Sequence, residues 1–149
     1  GINPHFIRLR SLRVPRRVPL FGELEAGTFT MQTDDMIVDE IKLLIENLEG
    51  VSSFVASDHI MNLLEEVEGR LPQDKEKMLG VIDRYQALSE TDRLIYRAGR
   101  RGGAFRSTDD LKNDPVTRRK LQGLTEDIAQ KQGAAAVEDF INEMVNRYI

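Results

Sequence analysis

Two short runs set the terms for what this chain can fold into: "HFIRLRSLRV" (5–14) and "VSSFVAS" (51–57). In the first, Ile7 and Leu9 alternate with Arg8 and Arg10, the pattern of a strand with one dry face. The second is short and partly β-branched and reads as a buried strand. Between them, Thr33 is a good helix cap, and Asp34 and Asp35 suit a helix's positive end. Ile37, Ile41, Leu44, Ile45 and Leu48 then follow the 3.6-residue period, with a stop expected near Gly50. The order strand, helix, strand predicts two parallel strands joined by a crossover. Two strands do not make a sheet that stands alone, and their unpaired edges are aggregation hazards, as expected of a piece cut from something longer. "PLFGELEAGTF", behind Pro15 and Pro19, reads as an irregular loop.

From Ser57 onward the pattern is helical throughout. Ile60, Leu63, Leu64 and Val67 predict a helix over 58–67, stopped by Gly69. Pro72 suits a first helical position, and Met78, Leu79, Val81, Ile82, Tyr85 and Leu88 form the next apolar face. Ser89 with Asp92 resembles a capping box, and the helix it opens ends in "GRRGG". Ser107 caps a further turn, Pro115 opens a helix that Gly133 breaks, and Val137, Phe140, Ile141, Met144, Val145 and Tyr148 mark a final amphipathic helix. Met36, Met61, Met78 and Met144 fall on apolar faces and read as core, while the acidic runs "EEVEG" and "TEDIAQ" read as solvated helix faces. The fold class is therefore mainly α with a small β component.

Composition narrows the chemistry. With 149 residues, one domain or one plus a small appendage is expected. A charged share of 31% argues against a membrane protein, and no apolar run approaches the roughly 20 residues that span a bilayer. The first twenty residues lack the apolar core of a signal peptide. Absence of cysteine excludes disulfides, a thiol nucleophile and cysteine-held zinc or iron–sulfur centres in this chain, and fits a cytoplasmic setting. His5 and His59 are too few for a histidine-rich metal site.

The net charge of −4 conceals an uneven layout. Residues 1–20 carry five arginines and no acid, and residues 21–50 carry eight acids and one lysine. A second basic cluster follows at Arg93, Arg97, Arg100, Arg101 and Arg106. Such clusters serve an anionic ligand or fold against acidic neighbours. Nucleic acid is a poor partner, because aromatics are scarce around the basic runs and the balance is acidic. "AGRRGGAFR" lacks the Walker pattern, and its glycines suit a helix end and a tight turn.

The candidate site lies at the strand ends. Ser57, Asp58, His59 and Asn62 follow the second strand, and ligands in parallel α/β architectures bind beyond the carboxyl ends of strands. His59 beside Asp58 suits a general base or a hydrogen-bond donor. The plainer reading is that Ser57 or Asp58 caps the helix that follows. Arg8 and Arg10 face the side of their strand opposite Ile7 and Leu9, where a guanidinium can grip a carboxylate or phosphate, or simply pair with an acid on a solvated face. A Ser-His-Asp triad does not fit, since adjacent residues point apart and no Gly-x-Ser-x-Gly elbow exists.

Taken together, "INPHFIRLRSLRVPRRVPLF", "VASDHIMNLLEEVEGRLPQDKEKMLGVIDRY" and "YRAGRRGGAFRSTDDL" resemble the C-terminal part of radical S-adenosylmethionine proteins. The closer resemblance is to uncharacterised iron–sulfur oxidoreductases distantly related to the elongator-like and oxygen-independent coproporphyrinogen oxidase groups. It spans nearly the whole chain. "VPRRVPLF" stands where relatives often have a Pro-Gly-Thr-Pro-Leu-Tyr-like turn, with Arg17 and Val18 replacing the Gly-Thr pair.

The resemblance implies a late (β/α) barrel segment at 1–69 and a helical C-terminal extension at 70–149. It also implies a parent enzyme whose Cys-x3-Cys-x2-Cys loop binds a four-iron cluster that cleaves S-adenosylmethionine. This chain alone would hold no cofactor and catalyse nothing. Its partners would be the remainder of the parent barrel, or a second copy paired through exposed strand edges. Arg8, Arg10, Ser57, Asp58, His59 and Asn62 would then lie near the barrel mouth as contacts to S-adenosylmethionine or substrate. The competing expectation is a self-contained helical module that binds an acidic partner or nucleic acid through its arginines.

Overall fold

The computed structural model describes residues 2–146. It is mainly helical, with one small three-stranded sheet. Strand β1 (Phe6–Arg8) pairs in parallel with β2 (Phe54–Ala56), Phe6 opposite Phe54 and Arg8 opposite Ala56. Between them run α1 (Pro19–Glu25) and α2 (Asp34–Asn47). The parallel pairing expected from the order strand, helix, strand is present, though each strand has only three residues.

Strand β3 (Gly69–Arg70) then adds antiparallel to the far edge of β2, with Phe54 opposite Arg70. One of the two edges expected to lie open is thereby paired. Gly69 does not stop a helix; it enters the sheet. Helices α3 (Lys75–Gln86), α4 (Glu90–Arg101), α5 (Asp110–Asn113), α6 (Pro115–Gln132) and α7 (Ala134–Asn146) complete the described chain.

The local signals that held are those whose hydrogen bonds are local. Thr33 Oγ1 accepts from the Met36 amide and opens α2. Ser89 Oγ accepts from the Asp92 amide and opens α4. Asp114 caps α6 with Pro115 in its first turn, and Gly133, at φ 91°, ends it.

Three expectations are corrected. "PLFGELE" is a helix, α1, because Pro19 occupies a first-turn position that needs no amide hydrogen. Helix α3 starts at Lys75 and not at Pro72, which lies in the turn after β3. The segment 58–67 is not helical. Its carbonyls are taken by side chains from elsewhere. Met61 O accepts from Arg101 Nη1 at 2.6 Å, Asn62 O from Arg100 Nη2 at 3.1 Å, Leu63 O from the Tyr96 hydroxyl at 3.1 Å and Leu64 O from Ser57 Oγ at 2.9 Å. Four consecutive acceptors satisfied this way leave no call for a helical ladder. Glu65 of "EEVEG" accordingly sits on no helix face; it holds Arg100 and Arg106.

The main core gathers Leu9, Val38, Ile45, Val55, Val67, Ile82, Tyr85, Ile95, Tyr96 and Phe105 from before and after residue 70. A smaller cluster of Ala98, Val137, Ile141 and Met144 seats α7 on α4. Met61, Met78 and Met144 are core, but Met36 is 52% exposed, since α2 turns Val38 and Ile45 inward instead. Tyr148 lies outside the described residues.

Candidate functional site

The end of β1 and the end of β2 lie side by side, so the strand-end residues do converge. Asn62 is buried at their centre. Its Oδ1 accepts from the Ser11 amide and Ser11 Oγ, each at 3.2 Å, while its Nδ2 donates to Leu9 O at 3.0 Å and Ser57 Oγ at 3.2 Å. Ser57 is equally buried and passes its own hydrogen to Leu64 O. These two side chains fasten the chain leaving β1 to the chain leaving β2. Their polar atoms are spent on protein partners.

Asp58 and Arg8 stand outside this network. Arg8 Nη2 pairs with Asp58 Oδ2 at 2.9 Å, with side chains 59% and 49% exposed. His59 is half-buried, and its Nδ1 accepts from the Met61 amide at 3.3 Å, which leaves Nε2 as the ring's other polar atom. Arg10 is exposed. The arrangement presents a guanidinium, a carboxylate and an imidazole at the carboxyl ends of two parallel strands. It can hydrogen-bond a polar ligand there.

A second constellation lies deeper. Asp34, in the first turn of α2, is buried and carries three guanidinium groups. Arg101 Nη2 reaches its Oδ1 at 2.6 Å, Arg13 Nη2 the same oxygen at 3.2 Å, and Arg97 Nε its Oδ2 at 3.0 Å. Arg97 also grips Glu138 of α7 in bidentate fashion, at 2.8 and 2.6 Å. One carboxylate thus ties the segment after β1, the start of α2 and one face of α4, and Arg97 extends the tie to α7.

Burial by itself pushes the Asp34 carboxyl up. The charges of Arg101, Arg97 and Arg13 outweigh that and hold it below the usual carboxylate range. For Arg97, burial pulls downward, but Glu138 and Asp34 more than compensate and leave the guanidinium raised. Asp35, next in sequence, accepts from the buried Tyr85 hydroxyl at 2.7 Å. Burial, reinforced by that carboxylate, raises Tyr85 far enough to keep it protonated.

Sequence reasoning treated Asp34 only as a helix-end charge and missed this cluster. The available signals were Arg97 and Arg101, one helical turn apart on α4, and an acid-rich stretch with too few cations of its own. Arg100 pairs with Glu65 at 3.0 Å and Arg106 with the same carboxylate at 2.8 Å. The second basic cluster therefore folds against acidic neighbours. Beside Asp34 opens a cavity of about 340 Å³, lined by Arg13, Arg97 and Glu138 as well as by Phe21, Leu24 and Met31.

Among the described residues no three or more histidine, aspartate or glutamate side chains gather as a metal site would need, and no helix is long and apolar enough to cross a membrane. Neither a family model, nor a curated protein, nor a solved structure matches this chain.

Proposed function

We propose that this chain is a late barrel segment and helical extension of a radical S-adenosylmethionine iron–sulfur oxidoreductase. What supports the reading, beside the resemblance of "NPHFIRLRSL" and "SDHIMNLLEEVEG", is the parallel β1–β2 pair with polar groups beyond its carboxyl ends. In the parent, the outer edge of β1 would receive the preceding strand. On the far side β3 pairs antiparallel with β2, so the barrel would be open there rather than closed by another parallel strand.

The cluster itself does not fit this chain, which has no cysteine to ligate it. Its ligands belong to the remainder of the parent, and no chemical step is assigned to residues present here. Arg8, Arg10, Asp58 and His59 are the contacts offered to S-adenosylmethionine or substrate. Ser57 and Asn62 would hold the two strand ends in place beneath them.

The helical-module alternative draws less support. Arg97, Arg100 and Arg101 are committed to Asp34, Glu138 and Glu65, while Arg8 and Arg106, though exposed, pair with Asp58 and Glu65; Arg10, Arg16 and Arg17 are the other exposed arginines of the N-terminal run.

The test is the native open reading frame. A Cys-x3-Cys-x2-Cys motif within about a barrel's length upstream, ~250 residues, is expected. The full-length protein, reconstituted with iron and sulfide, should then show cluster absorption and release 5′-deoxyadenosine from S-adenosylmethionine under reducing conditions. A frame with no such motif would sink the reading.

A further inference from the structure

The charge cluster that backs the cavity beside Asp34 holds one more cation than carboxylates, although Arg101 itself does not line the cavity. Three guanidinium groups, on Arg13, Arg97 and Arg101, meet two carboxylates, on Asp34 and Glu138. Arg97 is fully engaged by both acids. Arg101 is 2% exposed and divides its bonds between Asp34 and Met61 O. Arg13 is the poorly served member. Its bond to Asp34 is the longest of the three, at 3.2 Å, and lands on the oxygen that Arg101 already holds at 2.6 Å. Its Nε, like that of Arg101, is buried with no hydrogen-bond partner among the described residues, but of the two only Arg13 lines the cavity. Burial lowers its pKa, the charges of Arg101 and Arg97 add to that, and Asp34 offsets them only in part.

Arg13 also lines the cavity, whose volume of about 340 Å³ suits a small molecule. Phe21, Leu24 and Met31, which also line it, are apolar. We propose that this cavity binds a small organic carboxylate, with its carboxylate on the Arg13 guanidinium and its apolar body against Phe21, Leu24 and Met31. The cluster's one unit of excess positive charge matches a monoanion, and Asp34 and Glu138, which also line the cavity, disfavour a dianion such as phosphate. The apolar wall gives the body of the ligand a dry surface that inorganic anions cannot use. The proposal stands on the cavity and is independent of the family reading.

The chain has no tryptophan, so Phe21→Trp places a single fluorophore in the apolar wall. Octanoate is the probe, with octanol and inorganic phosphate as controls. The expected result is a saturable emission change with octanoate, absent with phosphate and much weaker with octanol. Adding Arg13→Gln should weaken octanoate binding by about tenfold or more, the loss of a charge-assisted hydrogen bond.

Amide resonances of Arg13, Phe21 and Thr33 in the unsubstituted chain should shift in the same titration, which keeps the test alive if Arg13→Gln does not fold. No shift and no emission change with octanoate would overturn the proposal. So would equal octanoate affinity after Arg13→Gln, or equal response to octanol or to phosphate.

Discussion

Asp34→Asn keeps the shape of the side chain and removes the charge that three guanidinium groups share. The amide must also place an NH₂ where one of the two carboxylate oxygens accepts. If it replaces Oδ2, it faces the Nε donor of Arg97, and if it replaces Oδ1, it faces Arg13 and Arg101 together. Arg97 retains Glu138 and Arg101 retains Met61 O, but Arg101 is then a cation 2% exposed with no carboxylate within reach among the described residues.

Breaking a buried pair by removing one partner costs about 3–5 kcal/mol, a large part of the ~5–15 kcal/mol typical of a domain. At about 2–4 °C per kcal/mol for a chain of this size, the melting temperature should drop by roughly 6–20 °C. The assay is urea or thermal unfolding followed by helical circular dichroism, with Asp58→Asn as control. The Arg8–Asp58 pair is exposed on both sides, so its loss should cost less than about 1 kcal/mol. A cost for Asp34→Asn as small as that of the control would refute the claim that the buried cluster holds α2, α4 and α7 together.

The same carboxylate gives a pH signature. Its folded-state pKa lies below the ordinary value of 3.8, so its contribution is present above that value and is lost as pH falls through the lower, folded one. The stability gap between the parent chain and Asp34→Asn should therefore be constant near neutrality and shrink only below about pH 4, measured by urea midpoints across pH. Asn62→Ala should destabilise by at least about 2 kcal/mol, because Leu9 O and the Ser11 amide lose their side-chain partner; a urea midpoint unchanged from the parent would contradict the fastening role. Gly99→Ala should cost about 1–3 kcal/mol, since a Cβ there would collide with the fully buried Phe105 ring, and thermal denaturation reads it directly.

Much of the fold was legible in the sequence because it rests on short-range bonds. Thr33, Ser89 and Pro115 each mark a helix start, and Gly133 marks an end, by satisfying or freeing backbone groups within one turn. The alternation of Ile7 and Leu9 with Arg8 and Arg10 likewise gave a strand, because a side-chain period of two needs no knowledge of the partner.

The segment 58–67 shows where that reasoning ends. Its apolar spacing fits a helix, yet Arg100, Arg101 and Tyr96, some forty residues on, claim its carbonyls and leave it irregular. β3 was equally hidden, since two residues carry no period. The Asp34 cluster was hidden for the same reason: an aspartate at a helix start looks alike whether it meets water or three guanidinium groups. Local bonding fixed most of the helices and the first two strands; which distant charges and carbonyls meet, and so where the cavity and Arg13 lie, was decided only when the helices packed.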